Sequence, residues 1–280
     1  MNYRHIYHAG NFADVAKHVG LLYCLDALKR KDSPFFVLDS HAGRGVYDLQ
    51  APEAKKSGEA ERGIQALIAN NLGDPALASY FAAIRARRGK RLPRYPGSPG
   101  LIARALRPLD RALFVELMPA EARAIDREVE SSGKIRTEIG DGYAALKAFL
   151  PPDERRGLVL MDPPYESLDE LKMMLLAFGD AYLRWPTGIY LMWYPIRSAD
   201  QRSIVHSRFE ALRIPKMLYA DLAIHPDDAG VGLAGSGLMM VNPPFGADDY
   251  LRNAYTAIHA GIATTGSGYV DVARLTPERL

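Results

Sequence analysis

The chain has 280 residues, 48% hydrophobic and 24% charged, which is the balance of a folded enzyme of one large or two small domains and not of a disordered chain. A single cysteine excludes an internal disulfide and a cysteine-cluster zinc site, and no apolar run reaches the roughly 18 residues of a membrane span. The polar N-terminus lacks a signal-peptide core, so a cytoplasmic protein is expected, and a net charge of +2 leaves its partners to be decided by local clustering.

The first predicted element is a helix over 19–28, in which Cys24 is a packing residue. Residues 34–39 (PFFVLD) are a short apolar run ending in an acid, and Ser40-His41-Ala42-Gly43-Arg44-Gly45 follows. This is the form of a first nucleotide-binding strand with its glycine loop, where small residues admit a ligand close to the backbone. The third position of a G-x-G-x-x-G pattern is Asp48, which disfavours a nicotinamide enzyme. Between residues 47 and 97 the alternation of strand and helix lapses. Segments 58–70 and 75–88 carry apolar residues three and four apart with no strand between them, so a helical insertion is expected. Its end holds six cations in the ten residues 85–94 and no acid. Such a cluster is either a solvated helix end that complements the dipole or a contact for a phosphate backbone. Arg87, Arg88, Lys90 and Arg91 are the expected RNA contacts.

Strand-like runs then recur at 112–116 (ALFVE), 135–141 (IRTEIGD) and 157–162, separated by helical segments 119–131 and 143–150. Each run ends at or beside an acid: Glu116, Asp141 and Asp162. Alternating strands and helices with acids at the strand ends predict an α/β fold with a doubly wound parallel sheet. The run 157–165 (GLVLMDPPY) is the most informative, because two prolines cut off a buried strand and leave Asp162 and Tyr165 at the carboxyl edge, where such sheets bind ligands. Helices are expected at 168–185, 199–212 and 247–262, and strands at 188–194, 216–224, 238–242 and 268–275, with a glycine-rich loop at 227–237. Asn242-Pro243-Pro244-Phe245 repeats the strand-then-Pro-Pro pattern, but three strand segments too late to be the reactive copy.

Asp162-Pro163-Pro164-Tyr165 resembles the fourth motif of methyltransferases that modify exocyclic amino groups of bases with S-adenosylmethionine as donor. The N6 amino group of adenine is a poor nucleophile, since its lone pair is delocalised into the ring. The Asp162 carboxylate and the Pro163 carbonyl can each accept one N6 hydrogen bond and relocalise that pair, while Tyr165 offers a ring face to an extruded base. Earlier in the chain, Glu116 is placed to accept hydrogen bonds from ribose hydroxyls, and Asp141 with Gly142 to meet the adenine of the donor; with Gly43 these make up a donor pocket in the expected order.

Several strings together resemble the RlmJ family, bacterial enzymes that methylate N6 of an adenine in 23S ribosomal RNA. They are Tyr3-Arg4-His5, His8-Ala9-Gly10-Asn11, Ala13-Asp14-Val15, Lys17-His18, Leu38-Asp39, His41-Ala42-Gly43, Tyr95-Pro96-Gly97-Ser98-Pro99, Asp162-Pro163-Pro164-Tyr165 and Trp193-Tyr194-Pro195. The resemblance implies a Rossmann-like class I S-adenosylmethionine-dependent methyltransferase domain over 1–46 and 98–280, with an inserted helical subdomain at 47–97. It implies further that Lys17 and His18 lie near the methionine part of the donor, and that His41, Ser98, Glu116, Asp141, Gly142 and Asp162 belong to the donor pocket. Tyr3 and His5 match positions close to the target base. A monomer with 23S ribosomal RNA as partner, no metal and no membrane is expected. Two alternatives stay open: a DNA adenine methylase, which usually carries a larger recognition region than this insertion, and a non-catalytic RNA-binding module, against which the intact tetrapeptide argues.

Overall fold

A computed structural model describes residues 5–167, 169–226, 232–263 and 267–277. Along the chain, α1 (Phe12–Lys29), β1 (Phe36–Asp39) and β2 (Val46–Asp48) precede α2 (Pro52–Ser57), α3 (Ala66–Asn71), α4 (Ala78–Ala83) and β3 (Arg94–Pro96). Then come α5 (Ser98–Ala105), β4 (Arg111–Glu116), α6 (Pro119–Glu128), β5 (Lys134–Ile139), α7 (Gly142–Phe149), β6 (Gly157–Met161), α8 (Glu170–Arg184) and β7 (Ile189–Ile196). The remainder is α9 (Ala199–Glu210), β8 (Met217–Ala223), β9 (Gly235–Val241), α10 (Ala247–Ile262) and β10 (Tyr269–Arg274). These elements divide between two compact units, one built from Leu21–Tyr47 and Pro96–Met192, the other from Arg4–Gly20, Asp48–Tyr95 and Trp193–Leu280.

In the first unit, β1 pairs in parallel with β4 on one side and β6 on the other, β5 extends the sheet beyond β4, and β7 extends it beyond β6. β1 and β6 are buried along their whole length, as strands covered on both faces must be, and so read as unbroken apolar runs. The outer strand β5 is only partly covered, and Ile139 at its end is 55% exposed. The chain fills the sheet outward from β1 in one direction and then in the other. The switch point therefore lies at β1, and its carboxyl end, with those of β4 and β6, frames the crevice where this topology takes ligands.

The second unit departs from the expected all-parallel sheet. β8 runs antiparallel to both β9 and β10. Only residues 224–234 separate β8 from β9, too few for the helical crossover that a parallel return needs. Tyr194, part of a string noted in the sequence, is a buried hub here: its hydroxyl lies 2.6 Å from Asp221 Oδ1 and 2.9 Å from His206 Nε2, while Arg202 Nε donates to Asp221 Oδ2 at 2.5 Å. That network fastens α9 to β8.

The insertion is helical but more broken than its periodicity suggested. α2 ends where Gly58 turns left-handed, the chain kinks at Gly63, and α3 is held to α10 by the Asn70 and Asn71 amides, which donate to the Gly261 and Ala257 carbonyls. The second expected helix is a 3₁₀ turn at Pro75–Leu77, capped by Asp74, and then α4, which stops at Ala83. The cations from Arg85 to Arg91 are consequently in irregular chain beyond α4, and Arg94 begins β3. β2 and β3, where the chain enters and leaves the insertion, pair as a small sheet the sequence did not announce.

Candidate active site

Four strand ends of the first unit build the site. After β1, Ser40 gives both its N–H and its hydroxyl to the Leu160 carbonyl at 3.0 Å, so its oxygen is left to accept from His41 Nδ1 at 2.8 Å. That fixes the tautomer: Nδ1 carries the hydrogen and Nε2 keeps an acceptor lone pair. Burial pushes the His41 pKa down to about 4 against the pull of Asp162 and Asp141, so the ring is neutral at pH 7. Its edge meets the Tyr143 ring at 5.0 Å between centroids.

Glu116, at the end of β4, ties the glycine loop in place, since Oε2 accepts the Gly43 N–H at 2.8 Å and Oε1 the Met118 N–H at 2.7 Å. Its burial outweighs those bonds and raises its pKa. Each carboxylate oxygen retains a second lone pair for a ligand hydroxyl. Asp141 caps α7 through Oδ1, which accepts from Tyr143 N–H at 2.7 Å and Ala144 N–H at 3.4 Å. The next residue has to be glycine, because a Cβ at Gly142 would stand 1.9 Å from the Ser40 carbonyl oxygen. Ser98 is buried at the start of α5, which the Gly97 N–H fastens to the Gly45 carbonyl at 2.8 Å.

Asp162 follows β6 directly and is half-buried, and Pro163 behind it is buried. Tyr165 adopts the left-handed conformation with φ 50°, and its hydroxyl contacts Met174 Sδ at 3.8 Å. The far end of this loop is anchored by Tyr143, which donates to Glu170 Oε1 at 2.6 Å. Tyr143 and Glu170 escaped the sequence reading. The position of Tyr143 beside Asp141-Gly142 was a usable signal, whereas nothing in the pattern singles out Glu170.

A second cluster lies in the other unit, on α1 and the turn before it. Asp14 is its centre: Oδ2 bonds His5 Nε2 and the Gly10 N–H at 3.0 Å each, and Oδ1 accepts from Lys17 Nζ at 2.9 Å. Burial works to raise the Asp14 carboxyl, but His5 and Lys17 hold it well below the usual carboxylate range. His18 Nδ1 lies 2.7 Å from the Tyr95 hydroxyl, which in turn meets the Tyr80 hydroxyl at 3.0 Å, and burial pushes the His18 pKa down to about 3. The structure thus gathers His5, Lys17 and His18 around one acid that the sequence reading quoted without assigning. Arg87, Arg88, Lys90 and Arg91 are exposed, and Arg91 pairs with Glu61. Tyr3 lies outside the described residues. Among the described residues no three histidine, cysteine, aspartate or glutamate side chains gather to hold a metal, and no helix is long and apolar enough to cross a membrane.

The family profile described as "Ribosomal RNA large subunit methyltransferase D, RlmJ" matches residues 32–275. The chain belongs to this RlmJ family. Two relatives named ribosomal RNA large subunit methyltransferase J, from Escherichia coli and Haemophilus influenzae, are each 36% identical to it over 280 residues, covering 99% of this chain and all of theirs. The crystal structure of a Legionella pneumophila protein aligns with a TM-score of 0.88 at 31% identity over 95% of this chain and 98% of that one. A probable spermidine synthase from Corynebacterium glutamicum shares the fold alone, with a TM-score of 0.51 at 16% identity over 97% of this chain and 77% of its own. The likeness to the RlmJ family read from the sequence is borne out, and with it the Rossmann-like methyltransferase fold.

Proposed function

We propose that this protein, an rRNA methyltransferase by its family, transfers a methyl group from S-adenosylmethionine to N6 of an adenine in 23S ribosomal RNA. The observation that carries the reading is the Asp162-Pro163-Pro164-Tyr165 loop, which follows β6 directly and is anchored at its far end by Tyr143 on Glu170. The bound donor supplies an electrophilic methyl group. Asp162 and the Pro163 carbonyl accept the two N6 hydrogen bonds and aim the nitrogen lone pair, and the Tyr165 ring stacks on the extruded base. Glu116 takes the donor's ribose hydroxyls on its remaining lone pairs. Asp141 is suited to the donor's adenine amino group, because both its backbone bonds fall on Oδ1. Gly43, Gly142, His41 and Ser98 shape the rest of this pocket, and Lys17 and His18 serve the methionine part of the donor.

Residues 47–97 act in this reading as an inserted RNA-binding subdomain, with Arg87, Arg88, Lys90 and Arg91 on phosphates. Tyr3 and His5 attend the target base. The test is transfer of a radiolabelled methyl group into 23S RNA from cells lacking the protein, followed by nucleoside mass spectrometry. N6-methyladenosine at one position is the expected product, and a methylated cytosine or guanine, or no incorporation, refutes the assignment.

A further inference from the structure

Glu59 stands just before the kink at Gly63 in the insertion, and its two oxygens bond His8 and Asn11, far earlier in the chain. Oε1 meets His8 Nδ1 at 2.9 Å, and Oε2 accepts from Asn11 Nδ2 at 2.9 Å. The backbone beyond it is shaped to the same segment: the Ile64 N–H donates to the Gly10 carbonyl at 2.9 Å. Gly63, with φ −99° and ψ −107°, lies so close that a Cβ there would stand 2.3 Å from the Gly10 oxygen. The chain is therefore kinked out of helical geometry at Gly63, and the kink lets Gly63 rest on residues 10 and 11.

From Asn11 the bonds continue inward. Its side-chain oxygen accepts the Asp14 N–H at 2.9 Å, and the Asp14 carboxylate holds His5, Gly10 and Lys17. The Glu59 bond lifts the His8 pKa, and Glu59 itself is held below the ordinary carboxylate range despite its burial, so the pair favours its charged forms. We propose that Glu59 is a positioning residue for methyl transfer, through which the insertion sets the place of the N-terminal turn and hence of His5. The inference rests on the reading that the N-terminal turn serves the reaction.

Single-turnover methyl transfer into a 23S RNA fragment, at saturating donor and RNA, tests it. Glu59→Ala slows the step by about ten- to a hundred-fold, the scale of a catalytic group misplaced by roughly an ångström. RNA and donor affinities stay within about two-fold, the range of independent effects. Glu59→Gln, which keeps one acceptor oxygen, recovers part of the rate. His8→Ala with Asn11→Ala, which also removes the Asn11–Asp14 bond, gives a loss at least as large as Glu59→Ala, and adding Glu59→Ala to that pair slows the step no further. A wild-type rate in Glu59→Ala, losses that multiply, or a Gln variant as slow as the Ala variant overturns the proposal. If Glu59→Ala does not fold, the His8→Ala/Asn11→Ala pair decides alone, and a wild-type rate there overturns it equally. His5→Ala separates the two layers. A normal rate in His5→Ala removes the reading beneath the proposal, whereas a slow His5→Ala beside a normal Glu59→Ala removes only the clamp.

Discussion

Tyr165 and Asn242 close apolar strands with nearly the same tetrapeptide, yet the backbone turns at different residues in the two. Tyr165, the fourth residue of its motif, has φ 50°, and Asn242, the first of its own, has φ 55°. Asparagine tolerates the left-handed region, whereas a bulky tyrosine is strained there and persists only where its surroundings hold it. Phe245, the counterpart of Tyr165, is 95% exposed. Tyr165→Ala should therefore lower single-turnover rates by about ten- to a hundred-fold, the worth of a stacked base, while Asn242→Ala and Phe245→Ala cost a few-fold at most. A dead Asn242→Ala beside an active Tyr165→Ala would show the motifs to be assigned the wrong way round. Asp162→Ala should reduce turnover by about a hundred- to thousand-fold with the thermal melt unchanged, and Asp162→Asn should keep part of the activity through its one remaining acceptor. Near wild-type turnover in a folded Asp162→Ala would remove the carboxylate from the chemistry.

At the scale of elements, the insertion's basic loop offers a salt-dependence test. Changing Arg87, Arg88, Lys90 and Arg91 to serine should weaken RNA affinity, leave donor affinity intact, and reduce the salt slope of binding by about 0.7 to 0.9 per lost phosphate contact. Unchanged slope and affinity would mark the loop as a solvated face. The regular elements were largely legible: α10 occupies the expected 247–262, and β6 and α8 fall within two residues of their expected bounds. The continuous helix expected over 75–88 was not found, because α4 stops at Ala83 and Arg85 turns left-handed at φ 59°, with Ile84 between them buried. Antiparallel pairing of β8 with β9 was legible only in the lack of a helix between the runs at 216–224 and 238–242, a signal the strand patterns themselves do not carry. In the site, the strand-end acids were readable from spacing. Ser40, Tyr143 and Asp14 act instead through side-chain hydrogen bonds, to His41, to Glu170, and to His5 and Lys17, that have no periodicity to betray them.

For the whole molecule, two buried neutral histidines set the response to acid. His41 and His18 have folded pKa values of about 4 and about 3, against 6.5 for a free side chain. Both are depressed, so as pH falls below 6.5 the unfolded chain takes up protons that the folded one refuses. The stabilisation they give is complete above pH 6.5 and is lost progressively down to about pH 4 for His41 and about pH 3 for His18. Each contributes a slope of up to about 1.4 kcal/mol per pH unit in that window. His8 adds no slope there, because its raised pKa places its effect above 6.5. Urea midpoints should accordingly fall steadily from pH 6.5 to pH 5, with the slope reduced in His41→Asn. Midpoints that stay level across that range would mean that the two rings are not held neutral.

The central place of β1 sets a schedule for synthesis. It is the first strand to leave the ribosome, and its two neighbours begin at Arg111 and Gly157. At about 5 to 20 residues per second, the strand beside Asp162 emerges roughly 6 to 24 s after β1. Until β4 is out Phe36, Val37 and Leu38 have no strand to pair with, and until β6 is out neither Asp162 nor the loop behind it exists. A nascent chain tethered to a ribosome cannot assemble the crevice at these strand ends early, and so a member of this family has no means of modifying the particle that is making it before β6 and Asp162 are out.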